Sequence, residues 1–531
     1  MVMQIFMATK TKSTLLTILI LTIAFVLRAY HLDTYPPLNA DEAALGYNAY
    51  SLIQTGKDEH GNPWPLHFQS FGDYKPGGYV YLILPFVKIL GLNAFAIRLP
   101  NLLISILCIY FLGQISKILL KNDFASYLSM IFLAISPWHL IFSRGAWESS
   151  LAFSLFVIGL NLFLKKSKLI YIAIFWATSL YFYHSARVFI PLFLLSTLIA
   201  NIKNKIEFKR ILSISILVGL LSLPAFISFL QNSGTARFNG VGIFADMGPK
   251  NRAEELLNQH ANTKLVNRIV HNYRLLYGLS FLDKYLSHYN LNFLFTEGDT
   301  VPRSKLPHLG QISLFFLPVF ILGLFSLHKL GQEQKNILLI LLFTSPIASA
   351  LTFQAPSALR SLFFLLPLTI ILSLGSLQIL KYRKTSIFYF TTAITVATIQ
   401  LCYSYFYRYP RELPLAWPYK FQEVVEYLKN NNPNKLPVYF TNKYDQPYIL
   451  YLFFSQYPPI LAQSQTVLTP ADNFGFSTVK KIDNLTFEVP KYTDIPSNSI
   501  IIASDEKIPI MPKSTFDFAN NQNAFKIYIK P

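Results

Sequence analysis

The stretch Tyr79-Val80-Tyr81-Leu82-Ile83-Leu84-Pro85-Phe86-Val87-Lys88-Ile89-Leu90 decides how the chain is threaded. It is apolar, yet at about 1.5 Å per residue it falls well short of the roughly 30 Å hydrocarbon core of a bilayer. It also carries Lys88. It reads as a helix lying in the membrane interface. Counting it as a crossing would invert every later segment and put the basic loops outside.

Working outward from it, eleven apolar runs have the length of membrane helices, near residues 13 to 30, 98 to 118, 124 to 142, 149 to 164, 169 to 184, 186 to 201, 211 to 230, 311 to 328, 336 to 353, 359 to 380 and 385 to 407. The first follows Lys10 and Lys12, and no small-residue cleavage site follows it, so it reads as an uncleaved helix. With a cytoplasmic N-terminus, the inside connections carry Lys117 and Lys121, then Lys165, Lys166 and Lys168, then Lys203, Lys205, Lys209 and Arg210. Lys329 and Lys335, then Lys381, Arg383 and Lys384, complete the series. Basic residues belong on that side. The outer face then holds a loop over 31–97, a second over 231–310, and a tail over 408–531, while residues 1–407 form the membrane module.

Composition supports this class. Of 531 residues, 52% are hydrophobic and only 14% charged, too few charges to coat soluble domains of that size. The net charge of +19 sits in short clusters between apolar runs, which suits topology and anionic lipid and argues against a nucleic-acid partner. Two cysteines, Cys108 and Cys402, lie in apolar runs and provide neither a disulfide framework nor a thiolate metal site. No GxGxxG or P-loop pattern occurs, and the inside connectors are too short for a nucleotide-binding domain. In the tail, 418–430 and 446–455 read as helices and 436–441, 500–503 and 525–529 as strands, a small α/β domain.

Reactive side chains gather on the outer side. Asn39 reads as the N-cap of a helix with Asp41 and Glu42 in its first turn and a stop at Thr55-Gly56. Acids there complement the helix dipole, so a structural role stands beside a catalytic one. Phe71-Gly72-Asp73-Tyr74-Lys75-Pro76 places an ammonium at the interface, able to reach headgroups or to bind a phosphate. Arg144 and Glu148 are spaced to pair on a helix face, yet ionisable groups at a membrane boundary point to use. His184 and Arg187 follow in Tyr183-His184-Ser185-Ala186-Arg187, and Asp299, Arg303 and Arg360 lie in later outward segments.

The first loop, with Arg28, Asp33, Pro37, Asp41-Glu42-Ala43, Tyr47, Thr55-Gly56, Gly61, Pro65, Lys75-Pro76 and Arg98-Leu99-Pro100, resembles the GT-C superfamily of membrane glycosyltransferases. The similarity is to the branch of the protein O-mannosyltransferases and the lipid A aminoarabinose transferase, the glycosyltransferase family 39-like members. It runs through about residues 13 to 407. Tyr183 to Arg187 and Glu297-Gly298-Asp299 resemble bacterial members of that branch.

This resemblance implies a mainly α, polytopic membrane enzyme that uses a polyprenyl-phosphate sugar outside the cytoplasmic membrane. The acceptor is a protein, lipid or cell-wall glycan hydroxyl. Asp41 is the implied general base, Glu42 orients the acceptor, and Glu148 places the sugar or a metal. Lys75 and Arg187 meet the phosphate, with Tyr74, Arg144, His184, Asp299, Arg303 and Arg360 at the donor. A divalent metal is open, since no tight ligand spacing demands one. The alternative is a transporter or flippase of lipid-linked saccharides, for which paired halves with broken helices would be expected, and neither is visible.

Overall fold

The computed structural model describes residues 10–71, 73–231, 240–259, 269–380, 383–444, 446–470 and 477–531. The first apolar run is helix α1 (Lys10–Ala29). Helix α2 (Ala40–Thr55) begins where the Asn39 side chain accepts the Glu42 N–H and the Glu42 carboxylate accepts the Asn39 N–H. It stops at Gly56, whose φ of 69° suits a residue without a Cβ. Both end signals read from the sequence operate. A hairpin of β1 (His67–Ser70) and β2 (Asp73–Pro76) leads into α3 (Gly78–Leu90). α3 is one helix of 13 residues, about 20 Å long and short of a crossing.

The later apolar runs are helical as well. They form α4 (Ala94–Leu120), α5 (Asp123–Ala134), α6 (Pro137–Arg144), α7 (Glu148–Leu164), α8 (Leu169–Leu180), α9 (His184–Ala200) and α10 (Lys205–Gln231). After α11 (Gly248–Gln259) and α12 (Tyr273–Ser287) come α13 (Leu317–Phe325), α14 (Gln332–Thr344), α15 (Ile347–Ala350), α16 (Leu365–Ile379) and α17 (Arg383–Cys402). Among the described residues four helical stretches are long and apolar enough to cross a membrane: Ala94–Leu120, Lys205–Leu230, Leu362–Ile379 and Ile387–Glu412. α5 and α6 make a fifth if their 62° bend is one broken span. The other expected crossings fall on shorter helices, and that at 336 to 353 is divided between α14 and α15.

The bend at Pro137 has a built-in partner. Proline lacks the N–H that would continue the helical ladder, so carbonyls of the preceding turn need other donors. The buried Arg28 guanidinium provides them, reaching Leu133 O at 3.3 Å and Ala134 O at 3.1 Å, as well as Ala24 O in its own helix. Its Nη2 also lies 2.8 Å from Nδ1 of His139, which accepts. A cation inside an apolar bundle thus closes a helix break.

The chain folds as two compact units. One comprises residues up to Arg28, Ile104–Ser143 and Glu148–Cys402, and the other Ala29–Leu103, Arg144–Trp147 and Tyr403–Pro531. The second unit therefore joins the first loop to the tail. Its tail contains α18 (Tyr409–Glu412), α19 (Phe421–Asn431), β3 (Val438–Phe440), α20 (Pro447–Ser455), α21 (Pro459–Gln465), β4 (Val467–Leu468), β5 (Val479–Ile482) and β6 (Leu485–Thr486). β7 (Ser499–Ala503), β8 (Ser514–Asp517) and β9 (Asn523–Lys530) follow. The seven strands are ordered β4-β5-β6-β3-β7-β9-β8, with β3 parallel to both β6 and β7. Every residue of β7 is buried, which marks it as a central strand.

Helix α2 is seated on this tail. A Cβ at Gly46 would lie 2.5 Å from the Phe453 ring, so the close approach of α2 and α20 requires glycine. The Tyr47 hydroxyl donates to Tyr457 O at 2.9 Å, and the Gln463 amide donates to Ser51 Oγ, Thr55 Oγ1 and Asp58 O.

Candidate functional site

The structure gathers the expected residues into two groups, one in each unit. In the second unit the first turn of α2 holds Asp41 and Glu42, whose surroundings are opposite. Glu42 is 1% exposed and its carboxylate is saturated. Oε1 accepts Arg98 Nε at 2.7 Å and the Ala146 N–H at 2.7 Å, while Oε2 accepts Arg98 Nη2 at 2.7 Å and both Asn39 donors. A carboxylate has about four lone-pair sites, so nothing is left for a substrate. Glu42, expected to orient the acceptor, is held here by Arg98, Ala146 and Asn39.

Asp41, one residue earlier, has a side chain 38% exposed and pairs with Lys75 Nζ from β2. Lys75 also sits 5.1 Å over the Phe71 ring. Tyr74 neighbours it on the hairpin and, by strand alternation, is directed to the other face. The two acids read together in the sequence thus separate into a buried brace and an accessible carboxylate.

Arg144, expected at the carrier phosphate, is fully buried. It donates to Tyr30 O at 2.6 Å, Tyr35 O at 3.0 Å and the Tyr405 hydroxyl at 3.2 Å, and stacks over the Tyr405 and Phe406 rings. Its donors hold the chain between α1 and α2. These bonds tie the expected donor-site residue into the protein around it.

Sequence reasoning missed two contributors to this group. Arg98 is buried and, beyond Glu42, donates to Leu32 O and Pro36 O at 3.0 and 2.9 Å, so a single cation gathers the loop ahead of α2. An arginine at the start of an apolar run was the available signal. The second is Glu59, buried after α2 in a reciprocal clamp with Asn48: the Asn48 amide donates to Glu59 Oε1 at 3.1 Å and Asn48 Oδ1 accepts the Glu59 N–H at 3.0 Å. Burial raises the Glu59 carboxyl above the usual carboxylate range, opposed by His60, Asn48 and Lys75. Nothing in the local pattern distinguishes that acid from a surface one.

In the first unit, His184 and Arg187 occupy the first turn of α9 and Arg360 follows the turn after α15. All three line one cavity of about 630 Å³. Its walls are otherwise mainly apolar, with Leu180, Pro191, Leu223 and Phe226 among them. The Arg187 guanidinium donates to Leu180 O at 3.0 Å and lies 5.4 Å over the Phe229 ring. Arg360 donates to Thr352 Oγ1 and Gln354 O. The turn carrying it is pinned by Asp299, 1% exposed, whose oxygens accept the Val301 N–H at 2.9 Å and the Ala358 N–H at 2.6 Å. Burial raises the Asp299 carboxyl, against the pull of those N–H groups and of Arg360.

Glu148 opens α7 and is half-buried, and Arg303, also half-buried, lies in a short helical turn at Pro302–Ser304. Neither lines that cavity. Among the described residues no three His, Cys, Asp or Glu side chains come together as a metal site requires.

A helical membrane chain with an accessible acid beside a lysine, and an apolar cavity carrying two arginines, narrows the comparison. Residues 18–167 match the family model of dolichyl-phosphate-mannose-protein mannosyltransferases. The fold matches ArnT from Cupriavidus metallidurans bound to undecaprenyl phosphate, with a TM-score of 0.55, 11% identity, and 98% of each chain covered. The chain has the GT-C fold.

A second GT-C structure, the oligosaccharyltransferase AglB from Archaeoglobus fulgidus in complex with an inhibitory peptide and a dolichol-phosphate, matches with a TM-score of 0.50 and 12% identity. That match covers 84% of this chain and 64% of the archaeal one, so the chain spans less than two thirds of that GT-C relative. No curated protein matches the chain.

Proposed function

We propose that this GT-C chain moves one sugar from a polyprenyl-phosphate carrier to an acceptor hydroxyl on the outer face of the cytoplasmic membrane, inverting the anomeric centre. The 630 Å³ cavity is the observation that supports this most. Its apolar walls suit an isoprenoid chain, and Arg187 and Arg360 supply fixed positive charge for a phosphate. The solved relatives that hold undecaprenyl phosphate and dolichol-phosphate favour the same ligand class.

In this reading Asp41 removes the proton from the acceptor hydroxyl as that oxygen attacks the anomeric carbon. The bond from that carbon to the phosphate oxygen breaks, and the lipid phosphate leaves with the electron pair. Lys75, Arg187 and Arg360 meet the developing charge. Tyr74, Glu148, His184 and Arg303 contact the donor sugar or its phosphate. Glu42, Arg144 and Asp299 act as positioning residues, each holding a segment that carries one of the others. No step is assigned to a metal ion. The proposal keeps the eleven expected crossings with basic connectors inside, so that the first loop, residues 231–310 and the tail over 408–531 lie on the outer side and the latter two shape acceptor choice.

Membranes containing the chain are tested for transfer of labelled monosaccharide from synthetic polyprenyl-phosphate donors, with Asp41→Asn as control. Transfer that Asp41→Asn abolishes is the expected result. Movement of the intact labelled lipid between leaflets, with no transfer, would instead mark a flippase and refute the enzyme reading.

A further inference from the structure

Helix α12 presents four leucines on one face. Leu275, Leu279, Leu282 and Leu286 recur at helical spacing and are 46%, 53%, 48% and 54% exposed. Arg274 and Asp283, both exposed, lie to either side of this stripe. The opposite face is anchored to protein: Tyr277 is buried and Lys284 is directed inward. At the end of the helix the Tyr285 and Tyr289 hydroxyls donate to Phe343 O and Leu342 O of α14.

The inward face has a specific target. The Tyr277 hydroxyl donates to Asp246 O at 2.9 Å, and Lys284 Nζ pairs with Asp246 Oδ2 at 3.1 Å. Asp246 ends the short segment that begins at Val241 and Gly242, two residues lining the 630 Å³ cavity. That segment is bonded to the next wall, Ile243 N–H to Leu351 O and Phe353 N–H to Val241 O. Thr352 in that wall accepts from Arg360. One continuous set of bonds therefore runs from the leucine face to the arginine in the cavity.

We propose that α12 lies in the plane of the membrane with its leucine stripe immersed in the acyl chains of the outer leaflet, and that through Asp246 it holds the 241–246 wall of the cavity in place. Lipid is the occupant favoured because the stripe is narrow, purely aliphatic and bordered by charged residues, the pattern of an in-plane helix. The same unit contains α10, long and apolar enough to cross a membrane, with Ile227 and Leu230 exposed near its end. The coupling to the cavity rests on the carrier reading above; the lipid contact does not.

The test uses the full chain in lipid nanodiscs, with Cys108 and Cys402 replaced by serine and a fluorophore attached at Leu279→Cys, Leu282→Cys or, on α11, Glu254→Cys. Nitroxide-labelled lipid is expected to quench the first two sites and aqueous iodide the third. Iodide quenching at all three, or protection of α12 only when acceptor is added or when copies associate, would overturn the lipid contact. Asp246→Ala is expected to raise KM for a polyprenyl-phosphate donor severalfold with kcat unchanged. An unaltered KM in a wild-type-active preparation would overturn the coupling, whereas wild-type inactivity with every such donor would count against the carrier reading itself.

Discussion

Arg98 meets Glu42 side-on, Nε to Oε1 and Nη2 to Oε2, each at 2.7 Å, with both side chains shut away from solvent. Removing one member of a buried pair leaves the other charged and unmatched, at a cost of about 3–5 kcal/mol. Arg98→Ala should therefore lower the thermal midpoint and the yield of inserted protein sharply. Glu42→Gln, which keeps the shape but loses the charge, should destabilise as well, and the stability loss should account for the activity loss. A Glu42→Gln variant of unchanged midpoint with abolished turnover would return Glu42 to the chemistry.

Asp41 contrasts with its neighbour, being accessible and paired with the Lys75 ammonium. Loss of a general base typically lowers turnover by about 10²–10⁴-fold. Asp41→Asn should show a loss of that size in kcat while its thermal midpoint stays close to wild type. A folded variant with normal turnover would remove Asp41 from the reaction.

Arg187 and Arg360 face one cavity from different elements. A hydrogen bond to a charged group contributes about 1.5–3 kcal/mol. Each alanine variant should then weaken donor binding by about 10- to 150-fold, given 1.4 kcal/mol per factor of ten. The measurement is KM for a short-chain polyprenyl-phosphate sugar, and Asp299→Asn, which loosens the turn that carries Arg360, should act in the same direction through Arg360 alone.

Glu59 gives a pH signature. Burial raises its folded-state pKa, so the folded chain keeps a proton that the unfolded chain releases. The stability from this group is complete below the ordinary carboxylate range and is lost as pH rises through the raised folded value. Glu59→Gln should flatten the thermal midpoint against pH over that window and keep the Asn48 bonds, and a slope identical to wild type would reject the assignment.

The fold was readable where a physical signal was local. The Asn39 cap, the Gly56 stop, the short α3 and five tail elements all lie close to where their patterns placed them, because caps, lengths and alternation act within a few residues. The site was legible as residue types but not as roles. Asp41 and Glu42 are adjacent and chemically alike, and it takes Arg98, 56 residues away, to set their surroundings apart. Arg144 likewise gives no sign in its local sequence of the Tyr30 and Tyr35 carbonyls that it binds. Shorter strands such as β4 and β6, of two residues each, carry no pattern long enough to read.

The seating of α2 against Phe453, Tyr457 and Gln463 has a consequence for swapping parts between relatives. A graft that brings in a foreign tail inherits a foreign socket, and the helix bearing Asp41 would be left without its cradle. Acceptor preference, if it resides in the tail, can be transplanted only together with Ala40–Thr55, so the two segments should be exchanged as one cassette.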